Sequence, residues 1–186
     1  MLQIKSNDMI NQLSQLCSRL LTLNRITLLL LIASPISIEL YTATSVEYIR
    51  TYPVLASLGV FFLLAWIVAI GHKANEKLES QGIASPLFKY FNFSIISVVL
   101  SYLLVLIFTT DKITSSNGFQ IHRLTPWYFP VLFVLSYLIA VLITSKTLVS
   151  AELKREAKFS DYYSTLFLFL ISAIGLWFIQ PRVQSL

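Results

Sequence analysis

The sequence predicts an all-α, polytopic membrane protein: a bundle of about five transmembrane helices preceded by an amphipathic interfacial helix. Three observations lead there. First, 56% of the 186 residues are hydrophobic and 12% are charged, about half the charged share of a soluble domain. The mean hydropathy is +0.73. Second, apolar runs of about 20 residues recur, long enough to cross a ~30 Å hydrocarbon core at ~1.5 Å per helical residue. Third, the cations sit mostly between these runs. Fourteen Lys/Arg against nine Asp/Glu give a net charge of +5. A nucleic-acid partner would also suit that excess, but positive-inside topology explains its placement better.

Residues 1–25 read as one segment and residues 26–186 as a single transmembrane domain. In the first, Ser6-Asn7-Asp8 offers N-cap chemistry. Met9, Ile10, Leu13, Leu16, Cys17, Leu20 and Leu21 follow at helical spacing, with Asn11, Ser14, Gln15, Ser18 and Arg19 on the opposite face. Such a helix embeds its apolar side at the headgroup boundary. Cys17 lies on that side, where a packed thiol is the expected state. As the only cysteine, it excludes an internal disulfide framework and a cysteine-cluster metal site.

The first span is expected over 26–45, interrupted by Pro35 and followed closely by Glu39. A signal peptide with Ile26–Ala33 as its apolar core competes with this reading. Its leader is long, however, and the nearest small-x-small site, Ala43-Thr44-Ser45, lies far downstream. The second span, 54–71, has Pro53 at its entry, where proline suits a first helical turn. Within it Ala65 and Ala69, with Gly59, are small residues at which another helix could approach closely. The third span is expected over 91–110. Ser115-Ser116-Asn117-Gly118 then signals a turn. Trp127-Tyr128 opens the fourth span, 128–146, whose helix could continue through Ala151–Lys158. Ser160 or Asp161 caps the fifth, 162–180, which stops at Pro181-Arg182.

The cations test this span count. Five spans put Lys5, Arg19, Arg25, Lys73, Lys77, Lys89, Lys146, Lys154, Arg155 and Lys158 on one side. Arg50, Lys112, Arg123 and Arg182 fall on the other, so the split is ten to four. If 26–45 does not span, the split is seven to seven and gives no orientation. The expectation is therefore an inner-membrane protein with its amino terminus cytoplasmic and its carboxyl terminus periplasmic. Phe88-Lys89-Tyr90-Phe91 and Phe159-Ser160-Asp161-Tyr162 echo one another at the entries to spans three and five. Aromatic belts and basic cytoplasmic loops account for the echo more simply than a duplicated helix pair.

Candidate chemistry is sparse. Glu39 is the one ionisable residue within an expected span, and intramembrane charge marks a functional candidate. The simpler reading, and the preferred one, is an interfacial structural carboxylate paired with Arg50 or Arg123. His122-Arg123 should lie on the outer surface and His72 on the inner, so the two histidines cannot share a metal site. Lys154, Arg155 and Lys158 are candidates for anionic lipid headgroups, although Glu152 and Glu156 would blunt that preference through helix-surface pairing. Trp177, Gln180, Pro181 and Arg182 read as an exit anchor, with Gln180 able to hydrogen-bond across helices. There is no glycine-rich phosphate loop, no Ser/His/Asp constellation, no HExxH and no arginine-rich voltage sensor.

The runs Ser150-Ala151-Glu152-Leu153-Lys154-Arg155-Glu156, Phe159-Ser160-Asp161-Tyr162 and Trp177-Phe178-Ile179-Gln180-Pro181-Arg182 resemble uncharacterised multi-pass integral membrane proteins of Bacteroidota-type bacteria. The resemblance covers only this carboxyl-terminal stretch. It implies a bacterial inner membrane and supplies no activity. The expected function is therefore a non-catalytic membrane subunit or scaffold with no cofactor and no metal. Its partners would be membrane lipids and another membrane protein or a second copy. A small transporter or channel component using Glu39 is the first alternative. A lipid-acting enzyme drawing on His122, Arg123 and Glu39 is the second.

Overall fold

A computed structural model describes residues 19–42, 52–108, 110–114, 120–124 and 126–186. After a helical turn at 19–22, its helices are α1 (Arg25–Thr42), α2 (Tyr52–Ser80), α3 (Phe91–Phe108), α4 (Tyr128–Leu153), α5 (Phe159–Leu170) and α6 (Ser172–Gln184). Three of them, α2, α3 and α4, are long and apolar enough to cross a membrane. A short 3-10 turn, Phe88–Tyr90, leads into α3. Between α3 and α4 stands a two-stranded antiparallel ribbon, β1 (Thr110–Thr114) and β2 (Gln120–Leu124). Its register pairs Thr110 with Leu124 and Thr114 with Gln120, so the strands flank the turn signal at 115–118. Amino-terminal residues up to 18, Cys17 among them, lie outside the described residues.

The chain divides into two units, residues 1–89 with 141–186, and residues 90–140. In the second, α3 meets the first half of α4 along a narrow seam. Ser97 and Ser136 hydroxyls hydrogen-bond at 2.8 Å, and Tyr102 lies against Phe133 and Phe108 against Phe129. Outside the seam, Phe93, Ile96, Leu100, Leu135 and Ile139 are exposed. Such faces suit lipid, where apolar exposure carries no penalty.

In the first unit α1 packs on α2, and α6 packs on both. The α2 helix continues nine residues past the expected end of the span, because His72–Ser80 is rich in good helix formers. Asn75 donates to Glu79 at 2.7 Å along that extension. Gly82, at φ +72°, then closes the helix. Its N–H meets the Glu79 carbonyl at 2.9 Å, and the Ile83 N–H meets the Leu78 carbonyl at 3.0 Å. These are the two bonds of a left-handed helix stop. The α4 helix likewise runs to Leu153, beyond the expected span.

It stops in the same manner, with Lys154 at φ 53° where glycine is usual and the Arg155 N–H on the Ser150 carbonyl at 3.3 Å. A left-handed conformation costs a side-chain-bearing residue about 1 kcal/mol. Lys154→Gly is therefore expected to stabilise the protein by about that amount, read as a higher unfolding midpoint in detergent.

The largest departure from expectation is the fifth run. Residues 162–180 do not form one helix. The α5 helix has 12 residues and α6 has 13, and they meet at Ile171, whose φ of −97° and ψ of 64° break the spiral. The chain turns back there. Arg182, in the last turn of α6, donates to the Thr165 hydroxyl near the start of α5 at 3.0 Å. The two helices are therefore antiparallel arms of a hairpin. Each is ~18–20 Å long at ~1.5 Å per residue, too short to cross alone.

Gly175 makes the fold-back possible. A Cβ at this position would collide with the Leu168 carbonyl of the other arm, so only glycine allows the arms to approach this closely. Nor does the helix stop at Pro181, which sits inside α6. Proline has no N–H for the carbonyl four residues earlier, and that carbonyl, on Trp177, instead receives Arg25 Nη1 at 3.4 Å.

Candidate functional site

The polar side chains of the first unit converge on α6. Gln180 is fully buried. Its Oε1 accepts the Trp66 indole N–H at 2.8 Å, joining α6 to the middle of α2. Its Nε2 donates to the Leu21 carbonyl at 2.8 Å. Gln184 Nε2 reaches the same carbonyl at 3.0 Å. Helix ends leave their last carbonyls without partners, so two glutamines of α6 cap the helical turn at 19–22. Leu20 and Leu21 are buried there, while Arg19 and Thr22 are exposed.

Phe169 of α5 completes this centre, fully buried with its ring 5.5 Å from that of Trp66. Arg25 lies at its edge, with the guanidinium 5.6 Å from the centroid of the Trp177 ring. A cation over an indole face is attracted by the ring quadrupole.

A second layer lies toward the end of α6. Arg182 makes a two-point contact with Glu152, Nε to Oε1 at 2.8 Å and Nη2 to Oε2 at 2.5 Å. The paired geometry matches the guanidinium fork to the carboxylate plane. Lys73 Nζ donates to the Val183 carbonyl at 2.6 Å, a cation at the negative end of a helix dipole. Glu152 and Thr165 thus meet Arg182 at the open end of the hairpin, and Lys73 meets the last turn of α6.

The connector from α4 to α5 is closed by its own charges. Lys146 pairs with Glu156 at 2.6 Å, and Arg155 with Asp161 at 3.0 Å. Ser150 Oγ accepts the Ala157 N–H at 3.0 Å. Val149, Ala157 and Tyr162 form the small core beneath. Asp161 performs the capping expected of it, but from inside the helix. Its Oδ2 accepts the Lys158 N–H at 3.0 Å. That bond, with the Arg155 guanidinium beside it, holds the carboxyl below its ordinary range.

Glu39 belongs to α1, with its side chain outside the described residues. His122 and Arg123 stand on β2, opposite Lys112 and Asp111 in the register; their side chains are likewise outside. His72 is exposed, its ring edge-on to Phe88 at 5.5 Å. Ala69 is buried within the chain and Ala65 half-buried, so close packing at Ala69 is already used inside the fold.

Of the three headgroup candidates, Arg155 is committed to Asp161, while Lys154 and Lys158 are exposed. Glu152 and Glu156 take Arg182 and Lys146 as partners rather than the neighbouring cations. Among the described residues, no group of three or more His, Cys, Asp or Glu is placed to hold a metal.

The cross-helix hydrogen bond expected of Gln180 is made, to Trp66 of α2. Beyond the exit anchor expected of them, Gln180 is the polar core and Arg182 the clasp of the first unit. The available signal was Gln180 itself, a strong hydrogen-bonding group among apolar neighbours, which must find partners when buried. Comparison of the chain with family models, curated proteins and solved structures finds no significant match.

Proposed function

We propose that the chain is a non-catalytic multi-pass subunit or scaffold of a bacterial inner membrane. The observation that carries this reading is that the strongest polar groups of the first unit are spent on one another. Gln180 is taken by Trp66 and Leu21, Arg182 by Glu152 and Thr165, and Lys146 and Arg155 by neighbouring carboxylates. A reacting centre needs such groups turned toward a substrate. The three helices long and apolar enough to cross a membrane, α2, α3 and α4, support the membrane assignment.

In this reading α1, α2, α3 and α4 cross, and α5–α6 enters from the cytoplasmic side and returns to it. Both termini are then cytoplasmic. The cation count favours this arrangement over five crossings. Arg182 changes side, so the inner tally rises from ten to eleven and the outer falls from four to three.

A second reading has one observation in its favour. A helix broken at Ile171, with two short arms, is the kind of element that lines transport paths. A transporter or channel component would then use Glu39. Proteoliposomes separate the two. The scaffold reading expects no proton or cation flux above that of empty vesicles under imposed gradients. Flux abolished by Glu39→Gln would overturn it in favour of transport.

A further inference from the structure

We infer that the cleft beside Lys73 is a binding site for the phosphate headgroup of an anionic lipid. The inference rests on the membrane reading above and adds a ligand to it. The cleft is open, has a volume of about 470 Å3, and is lined by Leu21, Thr22, Lys73 and Gln184. It lies where the turn at 19–22, α2 and the end of α6 come together. Ligand sites commonly fall in this size range.

Lys73 is half-buried and supplies the charge. Its ammonium has three N–H donors, and one is used on the Val183 carbonyl at 2.6 Å. Two remain. Among the described residues Lys73 meets no carboxylate, whereas Arg182, Lys146 and Arg155 each do. A cation that lines an open cleft with no carboxylate against it among the described residues is free to take an anion from outside.

Gln184 and Thr22 leave that role to Lys73. The Gln184 amide donates to Leu21 and the Thr22 hydroxyl to Arg19 at 2.8 Å. The apolar run of α2 ends at Gly71, just before Lys73, so the ammonium sits at the depth of headgroups rather than of acyl chains. A phosphodiester offers oxygens to both free donors, and Leu21 offers an apolar wall to the start of the lipid chain. Basic pockets between helices on the cytoplasmic side hold such headgroups.

The test uses the full chain in nanodiscs of equimolar phosphatidylglycerol and phosphatidylcholine, with retained lipid read by native mass spectrometry after detergent release. One desolvated cation at the membrane surface is worth about fivefold in preference. Wild type should therefore retain phosphatidylglycerol about fivefold over phosphatidylcholine. Lys73→Gln should abolish the preference and Lys154→Gln should keep it. Thr22→Trp, which fills the cleft from its exposed rim and spares the Val183 contact, should also abolish it.

Equal retention of the two lipids by incorporated wild type overturns the site. An unchanged preference in folded Lys73→Gln or in Thr22→Trp does so as well. Inorganic phosphate binding lipid-free protein in a Lys73-dependent way assigns the cleft to free phosphate and overturns the lipid. Failure of wild type to enter nanodiscs overturns the membrane reading itself, and the site with it.

Discussion

Gly175→Ala is expected to cost about 3 kcal/mol and to open the α5–α6 hairpin, the upper end of what overpacking does to a closed fold. The new Cβ meets the Leu168 carbonyl, which is backbone and cannot rotate away as a side chain would. Relief requires the two arms to separate, and the Arg182 contact to Thr165 must lengthen with them. Unfolding midpoints in mixed micelles measure the loss. Gly82→Ala is the control. Gly82 has a positive φ and nothing within 4 Å of its Cβ position, so its cost is conformational and about 1 kcal/mol. Equal losses at the two positions would contradict the close approach at Gly175.

Gln180→Leu should cost about 2–3 kcal/mol, because the Trp66 indole N–H loses its acceptor in a buried setting. The Leu21 carbonyl is protected by its second donor, Gln184. The loss therefore concentrates on Trp66. Trp66→Phe alone leaves the Gln180 carbonyl oxygen without a donor. The double variant removes both groups and should be more stable than the sum of the single losses predicts. A coupling of about 1 kcal/mol is expected in this cycle, and additive losses would remove the Trp66–Gln180 bond from the account.

The helices α2, α3 and α4 were legible because continuous apolar length is the strongest signal a sequence carries. Their ends were less so. Residues 72–80, rich in good helix formers, extend α2 to a left-handed stop at Gly82, and the expected continuation of α4 past its span is realised only to Leu153, because Lys154 takes the left-handed conformation and ends it. The Asp161 cap was found from residue type and position, and it acts at the predicted end of α5.

The hairpin was not legible from hydropathy. A run of about 19 apolar residues has the same composition whether it crosses once or folds back at its middle. What separates the two is local. Glycine at 175 faces the Leu168 carbonyl, and Gln180 finds its partners in sequence-distant Trp66 and Leu21. Only the cation tally carried a hint, because it improves when Arg182 is moved to the inner side. The clasp of Arg182 on Glu152 joins positions 30 apart along the chain, and no periodicity reports such a pair.

The central claim is that the carboxyl terminus returns to the side from which α5 departs. Single cysteines introduced at Ser185, Lys154 and Asn117, after Cys17→Ser, would be challenged with an impermeant maleimide in intact cells and in inverted vesicles. The account predicts that Ser185→Cys follows Lys154→Cys, protected in cells and labelled in inverted vesicles, while Asn117→Cys shows the opposite pattern. Labelling of Ser185→Cys together with Asn117→Cys in intact cells would mean that the last run crosses, and would contradict the hairpin.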